Sequence, residues 1–89
     1  MGSTRLVTVR YWAAAKDAAG VAQESVAADT LAAALTAVRD RHADRPRLAR
    51  VLAHSSVLVD GDPLGGRDPS AVVLRAGATV EILPPFAGG

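Results

Sequence analysis

From Arg5 to Trp12 the chain alternates, with Val7, Val9 and Tyr11 on one face and Thr8 and Arg10 on the other. This period-two pattern, rich in β-branched and aromatic residues, predicts a first strand. The run from Ala13 to Gly20 collects helix formers and closes on a glycine, which predicts a single helical turn or a broad loop rather than a full helix. Gln23 to Ala27 is then read as a second strand, antiparallel to the first. Beyond it the period changes. Leu31, Leu35, Val38 and His42 recur at three- and four-residue steps, while Arg39, Asp40 and Asp44 fall on the other side. That spacing predicts the main helix, capped at its start by Asp29 or Thr30 and stopped by about Ala43 ahead of Pro46.

After Pro46 the pattern shortens. Arg47 to Leu52 is expected to make one further short turn, and Ser56 to Val59 a short strand entering the tight turn Asp60-Gly61-Asp62-Pro63. Gly65, Gly66, Asp68 and Pro69 mark a loop, and Ala71 to Leu74 is read as a minor strand. Thr79 to Leu83 alternates again, with Val80 and Ile82 on one face, and Pro84-Pro85 ends it because neither proline can donate to a ladder. The elements add up to an α+β domain, an antiparallel-to-mixed sheet of four to five strands with one main helix across a single face. Residues 5–83 form this domain and 84–89 an extended tail; Met1 to Thr4 precede the pattern and are set aside as a disordered N-terminus or a remnant of cloning.

Composition narrows the chemistry. Eighty-nine residues suffice for one modest core, and with only Tyr11, Trp12 and Phe86 aromatic that core must be aliphatic. A net charge of +1 without long runs of one sign argues against nucleic acid and membrane surfaces. The absence of an apolar run long enough to span a bilayer, and of a secretory signal pattern, leads to the expectation of a cytoplasmic protein. There is no cysteine, so disulfides, thiolate metal sites and cysteine nucleophiles are excluded together. His42 and His54 lack the spacing of a metal pair or a catalytic dyad and are read as surface or edge residues, His54 in a loop before a strand. Asp60, Asp62 and Asp68 surround loop glycines, where turn chemistry explains them better than calcium. No metal site is expected.

What remains is the end of the chain. Pro84-Pro85 favours an extended backbone leaving the last strand, Phe86 and Ala87 follow, and Gly88-Gly89 finish without side chains. Such an end can thread a channel too narrow for any Cβ and carry its α-carboxylate to a reaction centre on another protein. Taken alone, a Gly-Gly end is better read as a frayed terminus than as a reactive one.

The segment Val9-Arg10-Tyr11-Trp12-Ala13, then Lys16-Asp17 and Gly20, with Val80-Glu81-Ile82-Leu83-Pro84-Pro85 and the final Gly88-Gly89, resembles the MoaD family, the small subunit of molybdopterin synthase. The wider set of ubiquitin-like sulfur carriers that includes the ThiS family is similar too. Trp12 stands where phenylalanine is usual, and Phe86-Ala87 where valine and serine are. The resemblance implies a β-grasp fold and a carrier that is not an enzyme by itself. An E1-like enzyme of the MoeB type would use ATP to adenylate the carboxylate of Gly89, and a sulfur donor would convert the adenylate to a thiocarboxylate. A MoaE-like large subunit would then receive the tail, Pro84, Pro85, Phe86, Ala87 and Gly88, and pass the sulfur to a pterin precursor. No cofactor would be bound permanently. Phe86 and Leu83 would anchor docking, or Phe86 would cap the core. Carriers for thiazole or cysteine synthesis, a ubiquitin-like modifier joined to lysines, and a β-grasp interaction domain with an inert tail are the alternatives.

Overall fold

In the computed structural model, which describes residues 5–85, each alternating segment becomes a strand and the period-3.6 segments become helices. The order is β1 (Leu6–Tyr11), α1 (Ala14–Ala19), β2 (Gln23–Ala27), α2 (Leu31–Arg41), α3 (Pro46–His54), β3 (Ser56–Val59), β4 (Asp62–Pro63), a 3₁₀ turn over Pro69–Ala71, and β5 (Thr79–Leu83). The sheet runs β2-β1-β5-β3-β4. β1 pairs antiparallel with β2, with Val9 opposite Glu24, and parallel with β5, with Val9 opposite Val80. β3 is antiparallel to β5, and the Asp60-Gly61 turn folds it back onto β4 with both turn residues at positive φ, 49° and 83°. This mixed five-stranded sheet with its helix is a β-grasp, ubiquitin-like fold, as the resemblance implied.

One face of the sheet supplies Val7, Val9, Tyr11, Val26, Val80 and Ile82 to the core. Leu31, Ala34 and Val38 of α2 meet them, together with Leu48 and Leu52 of α3 and the small Ala15, Ala18 and Ala19 of α1. Thr30 caps α2, its hydroxyl accepting from the Ala33 amide at 3.1 Å. Asp29 instead lends its carbonyl to the Leu74 amide. The β1 chain turns into α1 through Ala13, a non-glycine residue at φ 49°.

Four expectations need correction. The Ala13 to Gly20 segment is a six-residue helix rather than a single turn or loop, ended by Gly20 at φ 80°. Arg47 to Leu52 belongs to a nine-residue helix rather than a short turn, because Pro46 that stops α2 also serves in the first turn of α3, where a missing amide costs nothing. His54 ends that helix rather than sitting in a loop. Ala71 to Leu74 is not a strand: Val72 and Leu74 are buried and Val73 exposed, as in a strand, but the backbone bonds go to the entry of α2, Leu31 to Val72 and Leu74 to Asp29, with one isolated bridge between Thr30 and Val73. Alternation in burial requires an inside and an outside, not a sheet neighbour.

Candidate functional site

β5 lies between β1 and β3, so the backbone that becomes the tail leaves from the middle of the sheet. A central strand held on both edges is a rigid root. Val80 and Ile82 are fully buried, while Thr79, Glu81 and Leu83 are half-buried on the opposite face. Trp12, 42% exposed, guards the same end: its backbone amide donates to the Ile82 carbonyl at 3.1 Å and its indole N–H to Glu81 at 3.0 Å. The Arg10 guanidinium lies 5.0 Å from the indole centroid, a cation–π contact that holds the ring in place. Half-buried Pro84 and exposed Pro85 continue the chain.

The two prolines form one wall of a groove of about 390 Å³, completed by Ala14 of α1 and by Arg47, Arg50, Val51 and His54 of α3. The remaining residues singled out from the sequence, Phe86, Ala87, Gly88 and Gly89, lie outside the described residues.

A polar cluster that the sequence reading missed sits on the core side of β2. Glu24 shares a face with Val26 and reaches the end of α2, where its carboxylate accepts from the Tyr11 hydroxyl, from His42 Nε2 at 2.6 Å and from Arg41 at 3.0 Å. Both Glu24 and His42 keep only 12% of their side chains exposed, so His42 is a partnered, largely buried residue rather than a surface one. Burial would push the Glu24 carboxyl up, but the hydrogen bonds from Tyr11, His42 and Arg41 outweigh it and hold it below the ordinary carboxylate range. Burial, reinforced by the bond to Glu24, pushes the Tyr11 phenol up. The signal was present in the sequence: Glu24 is two residues before Val26 and His42 is on the apolar stripe of α2, so both point inward. With every partner inside the chain, the cluster is a structural tie between β1, β2 and α2.

The acidic loop behaves as turn chemistry. Asp60 accepts from the Thr79 amide, and Asp68 accepts from the amide and hydroxyl of Ser70, which hold its carboxyl below the usual range. Among the described residues no group of three potential ligands could hold a metal ion, and no helix is long and apolar enough to cross a membrane. The described side chains thus offer a rigid launching point and a basic groove beside it, with no assembled catalytic group.

Residues 9–89 match the ThiS family. No curated protein matches the chain in sequence. Among solved structures, the small archaeal modifier protein 1 of Methanosarcina acetivorans superposes with a TM-score of 0.81 at 20% identity, over 99% of this chain and 100% of that one. A chain from the complex of subunits 1 and 2 of molybdopterin-converting factor of Helicobacter pylori gives 0.63 at 20% identity, over 94% and 99%. CysO of Mycobacterium tuberculosis gives 0.72 at 19% identity, over 88% and 97%. At these identities the likeness is one of fold.

Proposed function

The chain belongs to the ThiS family, and from that premise we propose that it is a sulfur carrier for molybdopterin synthesis, working through the terminal carboxylate of Gly89. Proteins of this family are small ubiquitin-like carriers that are not catalysts by themselves. The observation that carries the reading is the family match itself, which runs to Gly89, joined to a tail root on a central strand.

The chemistry follows from what a carboxylate lacks. It is a poor electrophile, so an ATP-using partner must first join it to AMP, with release of pyrophosphate. Sulfide then attacks the acyl carbon and expels AMP, leaving a thiocarboxylate; where the sulfur arrives on a protein persulfide, the acyl disulfide first formed is cleaved by a second thiol, which leaves as a disulfide with the donor. With no cysteine in the chain, sulfur cannot be carried on a thiol, and a carboxyl at the end of a slim Gly-Gly tail is the one best shaped to enter a partner's site. A large subunit like the partner in the Helicobacter pylori complex would receive the tail and accept the sulfur on a pterin precursor.

A second reading is supported by the fold of the archaeal modifier protein: Gly89 joined to lysine amines of target proteins. One experiment separates them. The protein is incubated with ATP, an E1-like adenylating enzyme and a sulfur donor, then weighed intact. Replacement of one oxygen by sulfur, lost on deletion of Gly89, is expected; a ladder of protein adducts would favour the modifier, and an unchanged mass would overturn both. Release of the sulfur to a pterin precursor in the presence of a large subunit tests the pathway.

A further inference from the structure

Charge is unevenly placed on this nearly neutral chain. From Arg45 to Val59 there are three arginines and a histidine and no carboxylate. Arg47, Arg50 and His54 follow each other at three- and four-residue steps, which puts them on one stripe of α3, while Leu48 and Leu52 turn into the core. His54 is pinned to that stripe, Nδ1 donating to the Arg50 carbonyl at 3.0 Å. Among the described residues Arg5, Arg41, Arg67 and Arg75 each reach a carboxylate and Arg10 stacks on Trp12, whereas Arg39 and Arg45, away from the groove lining, reach no carboxylate. Among the described residues Arg47 and Arg50 meet none. Both line the same groove as Pro84 and Pro85, so the stripe lies beside the root of the tail.

We infer that the Arg47–Arg50–His54 stripe, with the apolar groove floor of Ala14 and Val51, is a docking surface for the adenylating enzyme, which meets it with a carboxylate-rich rim beside its tail cleft. The inference rests on the carrier reading. Its physical basis is the sign of the two ends of the contact. A cleft that accepts ATP and a carboxylate must be cationic, so the tail alone is drawn in by one charge without orientation. A positive stripe at the root of a negatively ended tail makes the carrier bipolar, and a bipolar surface is steered into one orientation. Contacts between exposed charges are also weak and screened, which suits a carrier that must leave after activation.

The test measures pyrophosphate release by a MoeB-type adenylating enzyme as the carrier concentration is varied. Arg47→Glu/Arg50→Glu is expected to raise KM about ten-fold with kcat unchanged, a gap that narrows as salt is added. Arg50→Glu should raise KM where Arg39→Glu, the same charge change on α2, does not. Should charge reversal impair folding, Arg47→Gln/Arg50→Gln keeps the comparison, with a smaller rise expected. Unchanged KM, an equal rise with Arg39→Glu, or a defect confined to sulfur transfer would overturn the inference while leaving the carrier function standing. Failure of the wild-type protein to be adenylated would overturn both.

Discussion

Three side chains converge on the Glu24 carboxylate, and the consequence is a dependence of stability on pH. Replacing Glu24 with Gln keeps the shape but removes the charge that three donors address, at an expected cost on the order of 1–3 kcal/mol near pH 7. Because the folded chain holds this carboxyl below its ordinary range, its contribution is fully present above the unfolded value of about 4.3 and is lost as pH falls through the lower folded value. Thermal melts between neutral and acidic pH should show the wild-type advantage over Glu24→Gln shrinking in acid; a constant difference would refute this account. At this scale the sequence is legible wherever one neighbour decides. Thr30 could be read as a cap because its partner, Ala33, is three residues away. Glu24 could not be read as a hub, since its partners lie 13 to 18 residues distant and only the β1–β2 register and the landing of α2 bring them together.

At the scale of elements, α3 is the clearest case of structure exceeding the pattern. Its apolar stripe is two leucines and a valine over nine residues, too short to distinguish a helix from a turn without knowing that both leucines are buried. If α3 is a structural wall, Leu48→Ala should lower stability by about 2–5 kcal/mol in denaturant melts, the cost of emptying a fully buried leucine site. A loss well under 1 kcal/mol would mean that the segment is peripheral. β1 and β5 were legible because each alternates, and β3 because it runs into the Asp60-Gly61 turn, whereas the pattern of β2, Gln23–Ala27, is weak and does not alternate. The segment from Ala71 to Leu74 misled for an instructive reason: its burial alternates, but its hydrogen bonds are spent on the α2 entry rather than on a strand.

For the whole molecule the arrangement that matters is a rigid sheet centre carrying the tail and a basic helix face beside it. In the described core β5 contributes Val80 and Ile82, and Phe86 follows four residues after Ile82 in the sequence. Phe86→Ala therefore distinguishes two roles: a carrier that melts normally but raises the KM for adenylation identifies an anchor, and one that melts earlier with unchanged KM identifies a core cap. The first outcome is the one expected. The sequence by itself determined β1, β3 and β5, the main helix, the lack of any cysteine chemistry and the candidate end Gly88-Gly89, because alternation, helical spacing, turn and proline stops and composition are properties of neighbours along the chain. The order β2-β1-β5-β3-β4, the Glu24 tie and the meeting of α3 with Pro84-Pro85 were decided only in three dimensions. Each joins residues far apart in the chain, and burial of the aliphatic face of the sheet, which carries no local signature, is what selects those pairings.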